Sequence, residues 1–78
     1  MDERAMDARH LESRIWRVRR RGDWIDASLA KRGTTWRLAY TRKGRLLAEW
    51  DFDSRAQAVD AARTKLREFE RAGWTEHW

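Results

Sequence analysis

Arginine and tryptophan are interleaved through the middle of this chain, and no other reactive or binding chemistry is offered in comparable quantity. A guanidinium presents a planar fork of donors that matches a phosphate or a guanine edge, and an indole offers a flat face for stacking or sugar packing. Strand-like spacing puts Arg17, Arg19, Trp24, Thr35, Arg37, Arg45 and Leu47 on one expected sheet face. Arg20, Arg21, Lys31, Arg32, Arg42 and Lys43 fall in the turns between strands, at the sheet ends where the phosphates of a groove would run. Any one of these cations taken singly is better read as a solvated side chain paired with a carboxylate than as a contact. As a set they form the candidate nucleic-acid-binding surface.

Other chemistries lack their parts. His10 and His77 stand at opposite ends of the chain, and no metal-ligand spacing surrounds either. Ser13, Ser28 and Ser54 have no base at a readable distance, and Ser54 is needed as a helix cap. Asp51 and Asp53 lie among arginines and read as ion-pair partners rather than an acid/base pair. There is no cysteine and no glycine-rich phosphate loop. The expectation is therefore a protein without catalytic residues, metal or cofactor.

The distribution of charge says more than the net charge of +5. Residues 1–13 carry two basic and four acidic side chains, residues 14–52 eleven and four, and residues 53–78 five and five. Positive charge thus concentrates in the predicted strands and turns, which is the footprint of a polyanion-binding surface. The absence of Cys, of a signal-peptide pattern and of an apolar run near the ~20 residues of a membrane span predicts a cytoplasmic protein, nucleoid-associated if it binds DNA, with no membrane partner. Seventy-eight residues make one domain, with six Trp supplying the bulk that so small a core needs.

These residues must be positioned by an α+β fold. Residues 1–13 form an N-terminal arm or short helix, and residues 14–78 a single domain. Trp16 and Val18 alternate with Ile15, Arg17 and Arg19 in a first strand, and Ile25, Ala27 and Leu29 with Trp24, Asp26 and Ser28 in a second. Trp36, Leu38 and Tyr40 mark the inner face of a third strand. Leu46, Ala48, Trp50 and Phe52 do so in a fourth, reached through Lys43-Gly44. Ser54 with Gln57 predicts a capping box, and Ala58, Val59, Ala62, Leu66 and Phe69 an apolar helical stripe. Gly73-Trp74 predicts a Schellman stop in which Trp74 touches Phe69. The sum is a three- to four-stranded antiparallel meander with one C-terminal helix packed on one face.

Val18-Arg19-Arg20-Arg21, Trp36, Lys43-Gly44-Arg45, Trp50, Phe52-Asp53-Ser54 and Ala58 together resemble the DNA-binding domain of plant ethylene-response factors. They are similar also to the arm-binding N-terminal domains of phage and transposon tyrosine integrases. The resemblance covers residues 16–68 and implies a sheet laid in the major groove of duplex DNA, read by Arg and Trp, with the helix bracing it from behind. This chain adds one hairpin to that three-stranded pattern. Ala58 with Gly73-Trp74 also resembles the end of a WGR domain, although Trp36 is followed directly by Arg37 rather than by Gly-Arg.

The expected function is that of a small basic protein binding nucleic acid, duplex DNA foremost, as a regulatory or accessory protein of a bacterial, phage or plasmid setting. A homodimer or a larger protein partner is compatible with this. The alternative is an interaction module or inhibitor that docks an acidic protein through Trp24 and the surface arginines, since Trp and Arg also dominate protein hot spots. A third reading is single-stranded DNA or RNA bound by stacking.

Overall fold

The computed structural model describes residues 12–77. In chain order the described residues form five strands, β1 (Glu12–Arg20), β2 (Asp23–Arg32), β3 (Thr35–Arg42), β4 (Arg45–Phe52) and β5 (Thr75–Glu76), and one helix, α1 (Arg55–Arg71), which falls between β4 and β5. They form one antiparallel sheet in the order β4-β3-β2-β1-β5. The four-stranded meander and the covering helix follow the sequence pattern, and β5 adds a short fifth strand beside β1. β1 begins at Glu12, two residues before the expected domain boundary. The arm or helix expected further upstream lies outside the described residues. No described helix is long and apolar enough to cross a membrane.

The core lies between the sheet and α1. Trp16, Val18, Ile25, Ala27, Leu29, Leu38 and Tyr40 from the strands meet Ala58 and Ala62 of the helix, with Phe69, Leu66 and Val59 packed at the margin. Small alanines let the helix approach the sheet closely, and Trp16 fills the space this leaves. Burial pushes the Tyr40 hydroxyl up to about 12, with the Glu68 charge adding to the effect.

Both helix ends follow from their cap residues. The Ser54 hydroxyl accepts the Gln57 N–H at 3.1 Å, which is one of the two bonds of the expected capping box; the return bond from the Gln57 side chain is not made among the described residues. At the other end the Trp74 N–H donates to Phe69 O at 3.0 Å and the Gly73 N–H to Glu70 O at 3.1 Å, the two bonds of a Schellman motif. The rings of Phe69 and Trp74 meet edge to face at 5.7 Å. Gly73 sits at φ 99, and a Cβ there would meet only Arg20 Cδ at 3.9 Å. Gly73→Ala should therefore cost about 1–2 kcal/mol through backbone strain rather than a clash. A urea midpoint unchanged from the parent would contradict that assignment.

Two bulges reset the alternation of the edge half of each hairpin. In β1 the pairing jumps from Arg14↔Ser28 to Trp16↔Ala27, so Ile15 is the extra residue and packs against the core instead of facing outward with Arg17. In β4 it jumps from Tyr40↔Ala48 to Thr41↔Leu46, making Leu47 the extra residue. This corrects the expected faces: Leu47 lies on the helix side beside Tyr40, Trp50 and Phe69, while Leu46 lies on the outer side beside Thr41 and Glu49. Arg45 is likewise in register with Arg42, off the outer face.

Candidate nucleic-acid interface

The cations gather where the meander turns. The β1–β2 and β3–β4 hairpins turn at the same end of the sheet because successive turns of a meander alternate ends, and the Lys43 N–H donates to Trp24 O at 3.1 Å across them. Arg20, Arg21, Arg42, Lys43 and Arg45 share this end, with Asp23 the one carboxylate in the two turns. α1 starts beyond β4 at the far end and runs back, so its C-terminus arrives here too: Arg20 Nη1 donates to Ala72 O at 2.9 Å, and its guanidinium lies 4.7 Å from the Trp74 ring centroid. Arg20, Arg21, Asp23, Ala72 and Gly73 line a concave site between turn and helix end.

The backbone of these turns is informative. Arg21 and Gly22 have φ 51 and 78, and Lys43 and Gly44 φ 52 and 85. Both hairpins therefore close through two-residue loops with positive φ at each position, the type I′ pattern, whose first position favours Asn, Asp or Gly. An Arg or Lys there costs the fold something that Asn would not. Arg42 and Arg45 also stand directly opposite each other, a like-charge pairing that does not help a hairpin. Asp23 offsets Arg42 by a hydrogen bond from Nε at 2.7 Å, which holds the Asp23 carboxyl below the usual carboxylate range.

The outer sheet face is differently built. Arg17 makes two bonds to Asp26, at 2.6 and 3.0 Å, and Arg14 approaches the same carboxylate at 3.8 Å. The bulge at Ile15 is what brings Arg14 and Arg17 to one face; sequence alternation placed only Arg17 there. Arg37 makes two bonds to Asp51, at 2.8 and 3.2 Å, and approaches Glu49 at 3.8 Å. The Arg37 guanidinium lowers the Asp51 pKa by hydrogen bonding. Because Asp23 and Asp51 are both depressed, the stabilisation they supply is complete at neutral pH and is lost as pH falls through and below the ordinary carboxylate range.

Trp24 lies opposite Arg19 and is half-buried, with the Arg17 guanidinium 5.8 Å from its ring centroid. It is thus on the expected face but shielded on one side. Lys31 and Arg32 fall at the opposite end of the sheet, where Lys31 Nζ lies 5.8 Å from the Trp36 ring centroid. The eleven candidate residues therefore separate into three groups: Arg20, Arg21, Arg42, Lys43 and Arg45 at one end with Trp24 and Arg19 beside them, Arg17 and Arg37 paired on the outer face, and Lys31 and Arg32 remote. The side chains of Arg19, Arg21, Arg32, Lys43 and Arg45 make no ion pair or hydrogen bond among the described residues. No trio of His, Asp or Glu among the described residues is placed to hold a metal ion. No family model, curated protein or solved structure matches this chain.

Proposed function

We propose that this protein binds nucleic acid, duplex DNA foremost, with the basic end of its sheet gripping phosphates and the outer face lying against the duplex beside it. The observation that carries this reading is the pair of type I′ turns whose first positions are held by Arg21 and Lys43, at one end of the sheet, where the fold would be better served by Asn. Cations kept at a local cost to the fold fit a surface whose binding energy comes from phosphate contact and counterion release. Duplex is favoured over single strands because, among the described residues, the outer face offers no open aromatic plane: the Trp it carries, Trp24, is half-buried under Arg17. Arg17 and Arg37, each committed to carboxylates, shape that face rather than supply its net charge.

Fluorescence anisotropy with a mixed-sequence duplex, a single strand and heparin tests the reading at about 50 and 200 mM salt. Duplex binding well above heparin, with a salt slope of several phosphates, is the expected result. Equal, weak binding to all three would remove it.

A further inference from the structure

Among the described residues β4 is an edge strand: it pairs with β3 on one side only, whereas the opposite edge of the sheet is partly covered by β5. Edge strands in monomers are usually blunted by charge, a bulge or cover; β4 has charges toward its ends and a bulge at Leu47, yet its middle exposes large apolar side chains, the kind of edge that pairs with another chain. The exposed large apolar side chains among the described residues are Leu46, Leu47 and Trp50, at 57, 54 and 51 %, and all three are on β4. The bulge sends Leu46 to the outer side and Leu47 to the helix side, where Trp50 joins it. An incoming strand would therefore meet apolar surface above and below its own plane, which a helix laid in a one-sided groove would not.

We infer that β4 pairs with β4 of a second copy of this chain, antiparallel, about a two-fold axis near Ala48. The charge pattern of the strand selects that partner. Lys43 and Arg45 stand at its beginning, Glu49, Asp51 and Asp53 at its end, with the apolar residues Leu46, Leu47, Ala48 and Trp50 around the middle. An antiparallel copy of the same strand places the basic beginning of each beside the acidic end of the other and brings Leu47 of one toward Trp50 of the other. A parallel copy would set like charges together. The contact is isologous, so it closes at two chains. It joins the two five-stranded sheets into one, with both helices on one face and the outer faces continuous, and it directs the two basic ends outward in opposite directions.

Sedimentation equilibrium with hydrogen exchange tests this without any nucleic acid, so its outcome is independent of the proposed binding. The expected result is a concentration-dependent species of twice the 9.4 kDa chain mass, with protection of β4 amides that rises with the dimer. Leu47→Glu and Trp50→Glu, both at exposed positions, should return the mass to 9.4 kDa while circular dichroism stays that of the parent. Three results would overturn the inference: a monomer at every concentration, a dimer that survives both substitutions, or β4 amides already protected in the monomer because another part of the chain covers them.

Discussion

The triple variant Arg21→Asn, Lys43→Asn, Arg45→Gln should lose duplex binding while gaining stability. Arg21 and Lys43 hold left-handed backbone that Asn adopts more readily, and Arg45 faces Arg42 across the hairpin. Relief at the two turn positions is worth about 0.5–1 kcal/mol each, enough to raise the melting temperature of so small a domain by several degrees. Binding should move the other way. Removing three phosphate contacts lowers the slope of log K against log salt by about 3 and, at about 50 mM salt, the affinity by more than about 100-fold. The control removes the same charge from exposed positions of α1, through Arg55→Gln, Arg63→Gln and Arg67→Gln. If both triples weaken binding equally, net charge alone drives association and the basic end is not the site. If the first triple binds as the parent does but is more stable, the positively charged turns have no role in binding.

Much of this architecture was legible because its determinants are local. The alternation of Trp36, Leu38 and Tyr40, the cap at Ser54 and the stop at Gly73-Trp74 each act within a few residues, and each is realised as its spacing dictates. The bulges were less visible, since an extra residue changes parity without changing composition. Two consecutive leucines at 46 and 47 were the signal in β4, a break in period 2 that an uninterrupted alternation overrode. β5 gave none, because a two-residue strand is defined by its partner: the Thr75 and Glu76 pairings exist only once the Schellman turn has aimed the chain along β1. The candidate site was legible as a composition and not as a geometry. Nothing in the spacing says that Arg17 will be spent on Asp26, nine residues away, or Arg37 on Asp51, fourteen away. That the cations of two turns share one end does follow from meander topology, and this gives the basic end a firmer footing in the sequence than the outer face.

Trp16→Ala should come close to unfolding the protein. Trp16 is 3 % exposed, and its ring sits 5.8 Å from Tyr40 and 5.9 Å from Phe69, so it joins sheet to helix at the centre of the core. Its Nε1–H donates to Ala62 O at 2.9 Å, a buried bond across 46 residues. Truncation to Ala removes one of the two tryptophans of the core and costs about 3–5 kcal/mol, against a total stability of about 5–15 kcal/mol for a domain, with the low end expected at this size. Trp16→Phe separates the two contributions. It keeps most of the aromatic contact, loses the indole donor and leaves a smaller void, for a cost of about 1–2 kcal/mol. Urea denaturation followed by far-ultraviolet circular dichroism reads both. A loss under about 1 kcal/mol in Trp16→Ala would show that the helix is held by other contacts. The Phe variant also bears on function: Trp16 is on the helix side of β1, away from both basic turns, so a folded Trp16→Phe protein should bind duplex with unchanged affinity and salt slope. Weakened binding in that variant would mean that the positions of the turns depend on how tightly α1 is docked, coupling the stability of the core to the grip on DNA.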